Sequence, residues 1–321
     1  MKSFLSIPLV FLAVALLLGC GGARSGVAST DLVPANASFI AQLQVEKLLQ
    51  NPDFADLYRQ TSPSLGGPPT LDDVLDEAQE ETGVDFRQFR SVVLFADHAR
   101  EGEYFGVIAR GPVDEEQLIS ALKDSGEYVV ETTDYAGQRI YLDQEDDDNP
   151  AIAFLDADTA VLGALAAVQD VIDVRQGKLA RASGMVYDTF QGLGEPLFSL
   201  ALALPPEAAR GLQDSVGAGT GFGMMPALDE ALADLDIVSL VLDQSDQDLR
   251  IEANLDFRSA QSAQEVGDTL DSFIKLAAGF APDPTLRGLL GKLEFTVQGS
   301  RLTVSFQAPM SELKEVARAV D

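Results

Sequence analysis

Hydrophobic and polar positions along the chain switch repeatedly between a two-residue period and one of about 3.6, which predicts strands alternating with helices. Ser38 to Val45, after Pro34, reads as a strand. From Thr70 to Glu81, Leu71, Val74, Leu75 and Ala78 share one helical face; Thr70 with Asp73 makes a capping-box-like start, and Gly83 supplies a stop. Ser91 to Phe95 and Tyr104 to Ala109 read as a hairpin. A helix then starts at Asp114, its N-cap, with Gln117 three residues on, an apolar face of Leu118, Ile119 and Leu122, and an end at Gly126. Four short strands fill Tyr128 to Leu162, and a helix over Leu165 to Val174 closes this half.

The remaining chain repeats that order. Leu197 to Leu204 corresponds to the opening strand and Asp229 to Leu235 to the first helix. Ile237 to Leu242 and Leu249 to Phe257 form a hairpin around Asp243-Gln244-Ser245-Asp246. In its second strand Leu249, Ile251, Ala253, Leu255 and Phe257 alternate with Arg250, Glu252, Asn254 and Asp256, the pattern of a sheet with one wet face. A helix from Ser262 carries Val266, Leu270, Phe273, Ile274 and Ala277 toward the core. Leu293, Phe295 and Val297 pair with Leu302, Val304 and Phe306 around Gly299-Ser300, and Ser311 caps a last helix. The expectation is an α+β fold of antiparallel sheets with helices packed on one face. It is built as two pseudo-repeated β-α-β-β-α-β-β-α halves, residues 31–182 and 183–321, with an extra hairpin, Val129 to Leu142, in the first. Chance alternation of hairpins and helices is the competing explanation.

At the N-terminus Lys2 precedes an apolar run from Phe4 to Leu18, shorter than the roughly 20 residues a membrane-crossing helix needs and right for a signal-peptide core. It ends Leu17-Leu18-Gly19-Cys20-Gly21, which resembles the lipobox of bacterial lipoproteins; Leu18 replaces the small residue usual before the glycine. The resemblance implies a signal peptide over residues 1–19, cleavage before Cys20, and a diacylglycerol on its sulfur carrying palmitate-like chains. A buried cysteine at the end of an uncleaved helix is the alternative. Residues 20–30, rich in Gly, Ser and Ala, read as a flexible tether reaching about 35 Å. Two acyl chains give durable attachment. The implied address is the cell envelope, with the body facing the periplasm or cell exterior.

Charge narrows the partners. The 321 residues carry 22 Lys+Arg against 51 Asp+Glu, a formal charge of -29, which excludes nucleic acid as a general partner. Residues 1–19 contain one cation and no acid, so cleavage makes the body still more acidic and repelled by anionic lipid. A hydrophobic content of 46% and a charged content of 23% describe an ordinary folded protein. One Cys, one His and no Trp leave most metal- and imidazole-dependent chemistry without its side chains.

Val33-Pro34-Ala35-Asn36-Ala37-Ser38-Phe39 and Gly83-Val84-Asp85-Phe86-Arg87-Gln88-Phe89 are similar to segments of a domain-of-unknown-function family of bacterial exported proteins. That resemblance implies an extracytoplasmic α+β fold and carries no catalytic residue with it.

Local chemical motifs are incomplete. Gly217-Ala218-Gly219-Thr220-Gly221-Phe222-Gly223 has Phe222 at the third glycine position of a dinucleotide loop. It reads as an interhelical loop, or with Phe222, Met224 and Met225 as an adaptable apolar contact surface. Asp143, Glu145, Asp146, Asp147 and Asp148 form an acidic run that could hold Ca²⁺ only weakly, because Asp148 stands where an EF-hand turn needs Gly and Phe154 where it needs Glu. His98, the one histidine, lies in a polar connection without a matching nucleophile motif. Asp124-Ser125-Gly126 imitates an aspartic-protease triplet but follows a helix; Ser272-Phe273-Ile274-Lys275 has the S-x-x-K spacing, with Phe273 and Ile274 read as core-facing. The expectation is therefore a non-catalytic lipoprotein, needing no cofactor, that binds a protein or another envelope component. A carrier or chaperone for an apolar, lipid-like ligand is the alternative, and an enzyme of unknown class the third.

Overall fold

The computed structural model describes residues 28–65, 68–82, 84–97, 104–124, 128–144, 150–204, 231–245, 247–281 and 283–320. The chain divides into two compact units between Tyr187 and Asp188.

The first unit opens with a 3-10 turn, Ser29–Leu32, and strand β1, Phe39–Leu43. Helices α1 (Val45–Leu49), α2 (Pro52–Leu65) and α3 (Leu71–Thr82) lead to β2 (Ser91–Ala96) and β3 (Phe105–Arg110). Helix α4 (Glu115–Asp124) precedes β4 (Val130–Tyr135), β5 (Gln138–Asp143), β6 (Ala151–Asp156) and β7 (Thr159–Gly163), and α5 (Leu165–Arg175) follows them. The order across the sheet is β1-β2-β3-β7-β6-β5-β4, antiparallel throughout. Expected caps are present: the Thr70 and Asp73 backbone N–H groups donate to each other's side chains at 3.0 and 3.1 Å, and Gln117 N–H donates to Asp114 at 3.0 Å.

Helices occupy both faces of this sheet, which refines the expectation of one covered face. On one face Tyr141 and Phe154 pack with Ile119 of α4, and Tyr141 donates to Glu115 at 2.5 Å. Strand alternation places Ile140, Ala153 and Val161 on the other face, all fully buried. There Tyr135 donates to Asp173 of α5 at 2.7 Å. The β4–β5 turn, Ala136-Gly137, has positive φ at both residues, 52° and 79°, the twist-matched geometry of a two-residue hairpin. Glycine also permits a close approach between strands. Gly106 stands opposite Phe95, and the Phe95 ring lies where a Cβ at position 106 would sit.

Helix α6 (Met185–Gly192) contains the division, and the second unit continues with β8 (Phe198–Ala203), β9 (Leu235–Ser245) and β10 (Asp248–Phe257). Helices α7 (Ala260–Phe280) and α8 (Pro284–Leu290), strands β11 (Leu293–Gln298) and β12 (Arg301–Pro309), and helix α9 (Met310–Val320) complete it. Its order, β8-β9-β10-β12-β11, repeats β1-β2-β3-β7-β6 of the first unit, which has β5 and β4 as an added hairpin at the far edge. Ala263 and Val266 of α7 pack with Phe257 and Leu302, against Leu270, Phe295 and Val297. A Cβ on Gly267 would meet Val297 at 2.9 Å, so its absence lets α7 lie close to the β11–β12 hairpin.

Several local expectations are corrected. β1 is shorter because Val45 already begins α1, and Leu235 belongs to β9, paired with Phe257, instead of ending a helix. Asp243 to Ser245 extend β9. Ser259, one turn before Ser262, caps α7 by accepting from Ser262 N–H at 3.0 Å. Ser311 lies inside α9, which starts at Met310. The polar sheet face is less wet than its alternation implies: Asn254 is 9% exposed and Ser239 1%. Thr303 donates to Asn254 at 2.7 Å, Asn254 to Glu252 at 3.3 Å, and Arg250 to Glu252 at 2.5 Å. These bonds satisfy side chains that water would otherwise serve.

Candidate functional site

Most sequence-derived candidates lie outside the described residues: Cys20 and its lipobox, His98, Glu145, Asp146, Asp147 and Asp148, and Phe222, Met224 and Met225. Asp143 is described, and its role is structural. It is 8% exposed at the end of β5 and accepts from Val129 N–H at 3.2 Å, closing the base of the β4–β5 hairpin. Among the described residues no group of three or more His, Cys, Asp or Glu side chains could hold a metal ion. Asp124 ends α4 and accepts from Ser120 at 3.3 Å; Ser125 and Gly126 lie outside the described residues.

Ser272 to Lys275 prove informative in a different way. Lys275 pairs with Asp271 at 2.6 Å on the exposed surface of α7. Phe273, expected in the core, is 41% exposed. The reason is that α7 meets the sheet core through Ala263, Val266 and Leu270 in its first half, and Phe273, about 20° from Val266 on the same face, lies beyond the last of those contacts. Leu276, at 59%, and Phe280, at 79%, continue the same side at spacings of three and four. Leu286 of α8 is 38% exposed. Four of the seven exposed large apolar side chains among the described residues thus fall between positions 273 and 286.

The corner between α7 and α8 is built to hold its shape. Asp283 caps α8, accepting from Thr285 and Leu286 N–H at 2.7 and 2.9 Å. Those backbone bonds, Leu286 first, hold its carboxyl below the usual range. Arg287 donates to the Ala281 carbonyl at 2.8 Å, tying the new helix to the end of the old one. Apolar groups of this size beside a held corner offer contact area to a partner. A helical wheel does not find this surface, because Phe273 and Phe280 lie within about 40° of Val266 on it; the face is the same and the sheet core stops at Leu270.

No helix among the described residues is long and apolar enough to cross a membrane. No protein-family model matches the chain, and no curated protein does. Solved structures do match. Crystal form III of TP0453 aligns over 92% of this chain and 100% of its own, at 10% identity and a TM-score of 0.53. Crystal form IV of TP0453 aligns at 10% identity and a TM-score of 0.49 over 91% of this chain and 97% of its own. The first likeness is one of fold alone.

Proposed function

We propose that this chain is a lipid-anchored lipoprotein of the bacterial cell envelope, facing away from the cytoplasm, that works by binding another protein or envelope component and performs no catalysis. The observation that carries the proposal is Leu17-Leu18-Gly19-Cys20, with the chain's one cysteine at the position a lipobox modifies. A short tether then keeps an acidic body close to, but repelled from, an anionic bilayer surface. The exposed side of α7 and the adjoining Leu286 give such a body an apolar contact surface. Binding fits this equipment better than chemistry does, since Tyr104, Tyr135 and Tyr141 are each joined to an acid, Asp170, Asp173 and Glu115, in pairs that hold helices on the sheet.

The test is the Cys20→Ser variant expressed beside the unaltered chain. Unaltered protein should enter the membrane fraction and take up radiolabelled palmitate; the variant should keep its precursor mass and lose the label. Equal labelling and equal fractionation of the two would refute the anchor. Cross-linking in intact cells then tests the contact surface, where Leu276→Asp with Phe280→Asp should abolish a defined adduct formed by the unaltered chain.

A further inference from the structure

The described residues include one concentration of arginine that the function proposed above does not use. Arg110 ends β3, and its Nη1 donates to Thr159 Oγ1 at 2.8 Å and its Nε to Ser29 Oγ at 3.3 Å. Both partners are neutral hydroxyls, and both residues are buried, at 1% and 6% exposure. Among the described residues Arg110 has no carboxylate within ion-pair distance, in a chain with 51 acids to choose from. Arg90 and Arg175 stand near enough for their charges to oppose its own, and Asp156 and Asp158 near enough to favour it. Each of those acids is already engaged. Arg90 pairs with Asp158 at 3.7 Å and Arg175 with Asp156 at 3.1 Å. Asp156 further accepts from Asp158 N–H at 3.0 Å and from the Thr159 hydroxyl.

Among the described residues, the two carboxylates nearest Arg110 are thus each paired with another guanidinium, and Arg110 itself sits partly buried with none in ion-pair contact. A guanidinium has five N–H donors, and Arg110 commits only two of them to described acceptors. Burial lowers its pKa from the ordinary arginine value, with Arg90 and Arg175 adding to the effect, so a further negative group would relieve it. The charge of the whole chain does not abolish this local attraction, because screening limits exposed charges to about 8–10 Å.

We propose that Arg110, with Arg90 and Arg175, forms an oxyanion site for a phosphate group. Planar forks match phosphate oxygens two at a time, which a lysine ammonium cannot do. Its place in the chain adds a second consequence. Ser29, held by Arg110, is where the tether meets the folded body, so the site lies at the root of the segment leading to Cys20. That root is the part of the body a lipid anchor would bring nearest to phospholipid headgroups. Free phosphate has the same chemistry, and the two sources are separable by experiment. The phosphate arm stands without the lipid-anchor reading; only the headgroup arm rests on it.

The experiment uses the full chain in a maltoside detergent, which contains no phosphorus, and follows the arginine Nε–H resonances by nitrogen-15 NMR. One arm adds inorganic phosphate, the other dopes the micelles with phosphatidylglycerol, and a control adds chloride at matched ionic strength. The Arg110 resonance should shift saturably in at least one of the first two arms and not in the third. Saturation by lipid at a lower phosphate concentration assigns the headgroup, and saturation by inorganic phosphate alone assigns the free ion. Arg90→Gln and Arg175→Gln should each weaken binding about 3- to 10-fold, the loss of one charge-assisted contact. Arg110→Lys should bind more weakly than wild type while keeping the fold. A response equal to that of chloride, or one unaffected by Arg90→Gln and Arg175→Gln, overturns the site.

Discussion

Replacing Gly106 with alanine tests the packing of the first unit at its tightest point. Gly106 lies opposite Phe95 across the β2–β3 pair and opposite Gly163 across β3–β7. A Cβ at 106 would come within 2.2 Å of Phe95 Cζ and 2.5 Å of Cε1. Carbon atoms prefer roughly 3.5–4.0 Å, so the ring would have to retreat by more than 1 Å. It has nowhere to go. Phe95 is 1% exposed and meets Tyr104 edge-on at 6.2 Å, while Tyr104 is itself held to Asp170 at 2.8 Å. Alanine in place of strand glycine would gain about 0.5–1 kcal/mol from the unfolded chain. Overpacking costs about 1–3 kcal/mol, and a ring driven toward water loses part of the roughly 1.5–3 kcal/mol its burial contributes. The net expectation is a destabilisation of about 1–3 kcal/mol. Urea unfolding followed by far-ultraviolet circular dichroism should show a lower midpoint for Gly106→Ala. Adding Phe95→Leu should recover part of the loss, so that the double variant is less destabilised than the sum of the singles. A Gly106→Ala protein as stable as wild type, or strictly additive variants, would refute the reasoning.

Three other consequences are open to direct measurement. Ala136 holds φ at 52° in the β4–β5 turn, so Ala136→Asn should stabilise the protein by about 0.5–1 kcal/mol, read as a higher urea midpoint. The bond from Arg250, followed by that from Asn254, keeps the Glu252 carboxyl below its ordinary range against the opposing effect of burial. A depressed carboxylate contributes stability that is complete above the unfolded pKa, about 4.3, and disappears as pH falls through the lower folded value. Arg250→Ala should move the Glu252 titration upward by carbon-13 NMR; an unchanged midpoint would contradict the pairing. Phe280→Asp should leave stability within about 0.5 kcal/mol, because the side chain is 79% exposed, and should reduce fluorescence of an apolar dye bound to the native protein.

The parts of the fold written in local periodicity were legible in the sequence. The strict alternation from Leu249 to Phe257 became β10, Gly299-Ser300 became the β11–β12 turn, and the caps at Thr70 and Asp114 formed as their side-chain spacing requires. Weaker signals were lost at prolines and at short elements. α2 begins at Pro52 and contains Pro63, which hides its Phe54, Leu57, Tyr58 spacing, and α6 and α8 span only eight and seven residues. Phe273 went astray because helical periodicity says that residues share a side, whereas only tertiary packing decides how far along that side the sheet core reaches. The arginine site was invisible for a related reason. Arg90 lies just before β2, Arg110 ends β3 and Arg175 ends α5, three segments joined by strand pairing at Arg110 and Thr159 that no short motif encodes.

A lipid on the sulfur of Cys20 is open to mass spectrometry of the N-terminal peptide of the membrane-extracted protein. A lipoprotein matured at this site yields a chain that begins at Cys20 and carries the added mass of a diacylglyceryl group on that residue. A chain that begins at Met1, or one that retains Cys20 as a free thiol, would contradict the lipid anchor.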